Sequence, residues 1–528
     1  MHVLFVAKDT FYLRNFESLV RGLCGRGHSV HMAFETILGT ELGSLVEVLE
    51  SDLGGRFTTD ALPKRASRRW RRTSDELRRS LDYLPYLHTR YDGAPTLRAR
   101  TARLAPGVVR RLTSRRALRG TRTLALLHRV LSLAEEAVPR SQTLTRYVAQ
   151  SGADVVLVSP LLQLGSRQVD VLRAARRLGV PSCFSVYSWD NLTTKGRIRG
   201  HPDLVTVWNE VQRSEAVELH GVEPERVVCT GATAYDHWFG WRPRTSRREF
   251  CATAGLPEDR PYVLYVGSAL LRGDESEFVS EWVTGLRGSR QPALEGAGIL
   301  VRAHPQRSLD PRRLDLSDDP AATLWPPPGA WVLGLEAREG LFDSIFHAAA
   351  VAGLNTSAFI DAAIIGRPSF ALLPPEFRDS QEGTLHFHYL LEAGGGALTV
   401  AGSPEQHRSQ LAEALEAPSV AVPHARFVEA FVRPRGIEVA ATDVLADALE
   451  AQVAAGPRGT PRRPAAQVVG LVLAAVISEV ISWRTGHVPA RRSVRRARRR
   501  LRPAVKRVRR AGKHARRRTA AAITRGRP

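Results

Sequence analysis

Apolar runs of strand length alternate with segments of helical spacing over most of the chain. His2 to Ala7 is an unbroken apolar run, Asn15 to Gly25 places Phe16, Leu19, Val20 and Leu23 on one helical face, and Ser29 to Phe34 is a second run. Strand, helix and strand of these lengths open a doubly wound parallel sheet, whose strands are buried on both faces. The pattern resumes at Ala153 to Ser159, with a helix over Gln168 to Leu178 and further strands at Pro181 to Tyr187, Asp203 to Trp208 and Arg226 to Cys229. After a linker at Pro243 to Arg248, a second sheet is predicted from Tyr262 to Val266, Ile299 to Arg302, Trp331 to Leu333, Val351 to Leu354 and Ser369 to Leu373. The outcome is an α/β chain of two Rossmann-like doubly wound domains, residues 1–242 and 243–455, with the cleft between them as the default site.

Residues 60–130 break this rhythm, and there charge changes the picture. The 528-residue chain carries a net charge of +23, and 19 Lys+Arg against four acids fall between Ala61 and Val130. A further 18 Lys+Arg, with no acid, lie between Arg491 and Pro528. Without these two blocks the body is net acidic, so a globular body with basic appendages is expected rather than a protein that coats nucleic acid. The Arg-rich insertion mixes Trp70, Tyr83, Tyr86 and Tyr91 among its arginines. It suits either a solvated helical insertion or a surface for anionic lipid, and no nucleic-acid-binding motif accompanies it. Four scattered cysteines without a CxxC pair fit a reducing compartment, and the first 20 residues lack the pattern of a signal peptide.

Candidate chemistry gathers at the carboxyl ends of predicted strands. The loop Lys8 to Arg14 follows the first strand, where such sheets bind ligands, and it contains no GxGxxG. Ser188 to Gly196 collects a carboxylate, an amide, hydroxyls and an ammonium in nine residues. There Asp190 is the candidate general base and Lys195 the candidate phosphate contact, with an Asx turn as the alternative. Asn355, Thr356 and Ser357 form a polar turn between a strand and the helix Ala358 to Ile365. Unpaired amides at such a helix start favour an anion. Asp361 stands a turn further in, within reach of a sugar or ribose hydroxyl. The alternative is an ordinary βαβ unit with a Ser/Thr cap.

These motifs resemble the GT-B glycosyltransferase superfamily, shared with CDP-glycerol glycerophosphotransferases and UDP-GlcNAc 2-epimerases. The resemblance runs from Pro261 to Tyr389. It rests on the helix Phe342 to Ala350, on Gly353 through Ser357 with Asp361, and on the Gly366-x-Pro368 exit. It implies that the amides near Thr356 and Ser357 hold the donor's phosphates and that Asp361 meets the ribose. Arg302 and His304 resemble the basic residue and His-Pro pair of the glycerophosphotransferases, with the histidine facing the pyrophosphate. Asn355-Thr356 replaces the usual double glycine, Glu-x(7)-Glu is absent, and the missing Asp-Ser-Gly-Gly turn argues against the epimerase. Ser188-x-Asp190-Asn191-Leu192-Thr193-x-Lys195-Gly196 and Gly383-Thr384-x-His386-Phe387-x-Tyr389-Leu390 resemble an actinobacterial GT-B-like group. His386 and His388 would share a face in a regular strand. Without a third ligand no metal is assigned to them; they are candidates for the leaving diphosphate, with satisfied structural histidines as the alternative.

The expected function is transfer from a nucleotide-sugar donor, without metal or bound cofactor, to a glycan or lipid-linked acceptor of the cell envelope. Glycerophosphotransfer and a non-catalytic module that binds membrane or polyanion are the alternatives. Residues 456–464 read as a linker, 465–484 as an apolar helix and 485–528 as a polybasic tail. The apolar helix approaches the length of a membrane span, but Glu479 opposes the bilayer centre. An in-plane helix on an anionic membrane surface, or one packed on the body, fits better. A cytoplasmic place at the inner face of the cell membrane is expected.

Overall fold

The computed structural model describes residues 1–38, 43–115, 120–269, 274–304, 309–310, 312–316, 319–327, 334–417, 424–459 and 464–484. The expected strand Trp331 to Leu333 and the polybasic tail lie outside the described residues.

The first sheet has seven parallel strands: β1 (His2–Asp9), β2 (Ser29–Thr36), β3 (Phe57–Ala61), β4 (Val155–Ser159), β5 (Ser182–Ser185), β6 (Leu204–Val207) and β7 (Val227–Cys229). Their order is β3-β2-β1-β4-β5-β6-β7, so the chain reverses direction across the sheet between β1 and β4. Alternate residues of β1 feed separate cores, Leu4 and Val6 on one face and Val3, Phe5 and Ala7 on the other. That is why this strand reads as an unbroken apolar run.

The second sheet holds β8 (Tyr262–Val266), β9 (Gly298–Arg302), β10 (Ala322–Leu324), β11 (Ala350–Gly353), β12 (Ser369–Leu372) and β13 (Leu398–Ala401). Its order, β10-β9-β8-β11-β12-β13, repeats the pattern of the first with all pairs parallel. The helix Ala441–Ala455 then crosses back to the first sheet, where Leu445, Ala446 and Leu449 complete the core under β1. Asp236 caps that helix, accepting the amides of Ala441 (3.0 Å) and Thr442 (2.7 Å) while paired with Arg433.

The insertion lies between β3 and β4 and is a packed layer. The helices Arg68–Tyr83 and Thr121–Glu136 bury Leu77, Leu81, Leu131 and Ala134 against one another. The helix Pro464–Arg484 covers them with Leu473, Ala474 and Ile477. A Cβ at Gly470 would collide with the Leu133 carbonyl, so glycine permits this close crossing. Glu479 is buried and ion-pairs with Arg69 at 2.7 Å. The charge that opposes a bilayer is thus spent inside the protein. Among the described residues, no helix is long and apolar enough to cross a membrane.

Arg78, only 1% exposed, ties this layer to the sheet. Its guanidinium reaches Glu135 (2.8 Å), Asp170 (2.8 Å) and the Ser166 carbonyl (2.9 Å), and Arg173 completes the group on Glu135 at 2.7 Å. Burial would raise the Asp170 carboxyl, but Arg78, Arg65 and Arg173 bring it down to about 2 from an ordinary 3.8. A depressed carboxyl stabilises the fold above its unfolded value and loses that contribution as pH falls through the folded one. Asp170→Asn should therefore cost about 3 kcal/mol or more at pH 7, the scale for breaking a buried pair. In urea titrations the gap to the unsubstituted protein should close between pH 5 and 2. A gap that stays constant over this range refutes the assignment.

Candidate functional site

The carboxyl ends of the two sheets face each other. From the first come the loop after β1, the Ser188–Gly196 loop after β5, the helix after β6 and the turn after β7. From the second come the Asn355–Ser357 turn after β11 and the segment Gln381–Tyr389 after β12. Trp189, Trp208, Tyr235 and Trp238 share one apolar cluster with Phe359, Phe387 and Phe431, so the seam is packed as well as polar. The architecture is two Rossmann-like, doubly wound parallel sheets.

Asp190 sits at the centre of the polar part. It heads the short helix Asn191–Thr194 and accepts from Ser188 Oγ (2.7 Å), Asn191 Nδ2 (3.1 Å) and Thr194 Oγ1 (2.8 Å). Lys195 Nζ stands 3.8 Å from its Oδ2. Burial alone would raise this carboxyl, but Lys195, His386 and the two hydroxyl bonds hold it well below the usual carboxylate range. The insertion fixes this loop from behind. Tyr86 donates to the Lys195 carbonyl at 2.7 Å, and Asp82 accepts the amides of Gly165 (2.8 Å) and Arg197 (3.0 Å). A Cβ at Gly196 would fall 2.6 Å from Asp82 Oδ1, so only glycine fits there.

Across the seam, Asn355 Nδ2 donates to the Ser380 carbonyl at 2.5 Å and lies 3.4 Å from His386 Nε2. With Nε2 facing an N–H, the neutral His386 ring carries its proton on Nδ1. Both His386 Nδ1 and Asn355 Oδ1 are buried without a hydrogen-bond partner in the protein, leaving one open donor beside one open acceptor. Burial lowers His386 to about 4, even with Asp190 nearby, and its ring meets Trp189 edge-on at 4.8 Å. His386 and His388 lie in a single 3-10 turn, not in a strand, and therefore diverge. His388 Nε2 instead contacts the Glu382 carbonyl at 2.9 Å.

Thr356 is buried and accepts the Ala358 amide on its hydroxyl (3.3 Å), while Ser357 is exposed at the start of the helix Ala358–Ile365. Asp361 is 7% exposed and accepts the indole N–H of Trp238 at 2.6 Å. Trp238 thus occupies the carboxyl that the resemblance assigns to a ribose. Arg302 lies under the helix Leu335–Phe346, donating to Ser344 Oγ (3.1 Å) and to the Gly340 and Ala337 carbonyls (3.3 Å each). His304 stands at the tip of β9, its amide nitrogen 3.0 Å from where a Cβ of Gly267 would lie. The structure brings Asp190, Lys195, Asn355 and His386 together and commits Arg302 and His388 to backbone carbonyls.

Two residues join the site that motif reading passes over. Arg14, in the turn after β1, stacks over Phe11 at 3.6 Å and has no carboxylate within ion-pair distance among the described residues. Burial lowers it to about 10, so it stays charged at neutral pH. Its loop is legible as a ligand-facing one; the residue is not singled out by any pattern. Glu215 follows β6, receives the Tyr389 hydroxyl on Oε1 and keeps a buried Oε2 without a partner. Burial pushes it up to about 8. Among the described residues, no group of three His, Cys, Asp or Glu side chains is placed to hold a metal ion.

No family model and no curated protein matches the chain. Solved structures do match it, at low identity. UDP-GlcNAc 2-epimerase from Methanocaldococcus jannaschii is 11% identical with a TM-score of 0.48, covering 85% of this chain and 100% of its own. S. aureus MnaA, in a co-structure with UDP, is 12% identical with a TM-score of 0.48, over 87% of this chain and 100% of its own. A glycosyltransferase from Rickettsia africae is 9% identical with a TM-score of 0.46, over 85% and 97%.

Asp361 gives this site a pH signature. Burial pushes its carboxyl up to about 7, against Trp238 and Arg14, which pull it down. A raised carboxyl contributes stability below its unfolded value and loses it as pH rises through the folded one. Asp361→Asn keeps an acceptor for the indole but cannot ionise. Between pH 4 and 8 the Tm of the parent should therefore fall relative to that of the variant, and parallel curves would rule this out.

Proposed function

We propose that the protein transfers a sugar from a nucleotide-activated donor, with the donor's phosphates between the Asn355–Ser357 turn and Arg14. The observation that carries this reading is the open donor His386 Nδ1, buried at the seam near a helix start, with the open acceptor Asn355 Oδ1 left for a sugar hydroxyl of the donor. A diphosphate offers acceptors to the imidazole N–H, the helix amides and a guanidinium that has no carboxylate partner. Its charge would also raise the His386 pKa and let the ring become cationic as the leaving group departs.

The acceptor hydroxyl needs a base that exchanges protons near neutral pH. Asp190, held far below that range, is a weak one. We assign it the positioning of Lys195, and we assign proton transfer to Glu215, whose free Oε2 faces the same seam. Lys195 then serves the phosphates. The acceptor in this reading is a glycan or lipid-linked precursor of the cell envelope, approached along the Arg-rich insertion at an anionic membrane surface.

A thermal-shift panel of UDP, GDP, CDP and TDP tests the donor half. One nucleotide should raise Tm, and Arg14→Ala should weaken its binding by about tenfold or more, the scale of a lost charged hydrogen bond. Glu215→Gln should keep the nucleotide shift and lower turnover about 100-fold or more. A response to CDP alone would point to glycerophosphotransfer. No response to any nucleotide would sink the donor reading.

A further inference from the structure

On the same carboxyl edge of the first sheet, the insertion walls off a second cavity of about 230 Å³. Glu35 at the end of β2 and the segment after β3 form one side, and the helix Arg68–Tyr83 and the turn at Gly165 form the other. Two of its cations are spent: Arg65 and Arg78 both hold Asp170, at 3.1 and 2.8 Å. Five more, Lys64, Arg68, Arg71, Arg72 and Arg167, have no carboxylate within 4.0 Å among the described residues. Asp75, also on the wall, is paired with Arg79 at 3.2 Å. Glu35 is the remaining carboxyl among the described residues that line the cavity, and burial pushes it up to about 7.

Confining this much positive charge in one hollow costs free energy unless an anion enters. Arg65 adds a built feature: it is 6% exposed, yet its Nε is buried without an acceptor. Planar guanidinium groups match the oxygens of a phosphoryl group, and five cations without a carboxylate partner among the described residues suit two or more negative charges better than one carboxylate. The volume is below the roughly 300–1,000 Å³ of pockets that enclose whole drug-sized ligands, so a headgroup fits and a nucleotide does not. Among the described residues no aromatic ring lines the cavity, so the stacking that single-stranded nucleic acid uses is missing from this lining.

We propose that this cavity binds a phosphoryl group, a phosphomonoester or diphosphate, carried by the acceptor rather than by the donor. The binding stands on the cavity itself. Its assignment to the acceptor rests on the transferase reading, because the cavity lies on the first sheet and apart from the Asn355–Ser357 turn.

The 528-residue chain is tested with Arg72→Glu and Arg167→Glu together. Both side chains are exposed and lie outside the Arg78 group, so the fold should persist. Inorganic pyrophosphate titrated calorimetrically should bind the unsubstituted protein and lose about tenfold or more in the double variant, with the matching Lys pair in between. Phosphatidylcholine vesicles doped with phosphatidic acid, compared with phosphatidylserine at matched charge, separate the sources. Loss confined to phosphatidic acid assigns a lipid headgroup. Loss of pyrophosphate binding without loss on either vesicle assigns a soluble phosphate. Pyrophosphate affinity within twofold of the parent overturns the proposal, as does an equal loss from Arg122→Glu with Arg129→Glu on the exposed face of the helix Thr121–Glu136. The nucleotide-induced Tm shift should survive in the Arg72/Arg167 variant, so failure here is distinct from failure of the donor reading.

Discussion

One buried guanidinium organises the first half of this protein. Arg78 is enclosed between the insertion and the helix behind β4, where an unpaired charge would be prohibitive. Two carboxylates, Glu135 and Asp170, come from two different helices, so satisfying Arg78 fixes all three helices together. The arrangement does more for geometry than for net stability, because desolvation consumes most of the Coulomb gain. It sets the helix Arg68–Tyr83 at one height above the sheet. From the end of that helix Asp82 and Tyr86 then hold the Ser188–Gly196 loop, and from its start the exposed arginines line the cationic cavity. An insertion that breaks the sheet pattern is thereby made part of the site.

The seam between the sheets follows a different rule. Its apolar share is one continuous cluster, and its polar share is a set of single bridges. Trp238 to Asp361, Tyr389 to Glu215 and Arg338 to Glu17 each join the two halves. The crossing helix Ala441–Ala455 adds a covalent return, anchored by Asp236 at its start and by Arg26 against Asp443 and Asp447 along its face. Each polar bridge is one hydrogen bond or ion pair, whereas the apolar cluster runs on from Trp189 and Trp208 into the core of the second sheet at Leu264 and Val351 and holds the seam as a whole.

What the sequence disclosed follows from which forces are local. Most core strands of both sheets are apolar runs and could be read directly. The edge strands β3, FTTDA, and β10, ATL, are short and half polar, because an edge is covered on fewer sides. The return of the helix Ala441–Ala455 depends on Asp236, some two hundred positions earlier, and no local pattern carries that pairing. Glu479 looked like an obstacle to a membrane helix; its partner, Arg69, lies in the distant insertion. In the site, the polar turn and the Ser188–Gly196 loop were visible as chemistry without an obvious structural need. Arg14 and Glu215 were not, since Arg14 gains its character from burial without a carboxylate within ion-pair distance among the described residues, and Glu215 from burial with one oxygen left free, and both are properties of the assembled seam.

The contact between Trp238 and Asp361 sharpens what the proposed donor site would require. A ribose hydroxyl and an indole N–H are both single donors, so exchanging one for the other on the Asp361 carboxyl leaves the hydrogen-bond count unchanged. The difference lies in the indole, which stacks on Phe342 at 5.5 Å and meets Trp241 edge-on at 4.9 Å. Leaving those partners costs apolar contact, of the order of 1 kcal/mol for each aromatic pair. A nucleotide must return that from its base and phosphates. Phosphate contacts through the helix start and Arg14 are charge-assisted and can do so, whereas a free nucleoside has only its base. Affinity should therefore rest on the diphosphate. Under the proposed transferase reading, the carboxyl at Asp361 would read the ribose once the indole has moved, rather than act as the anchor.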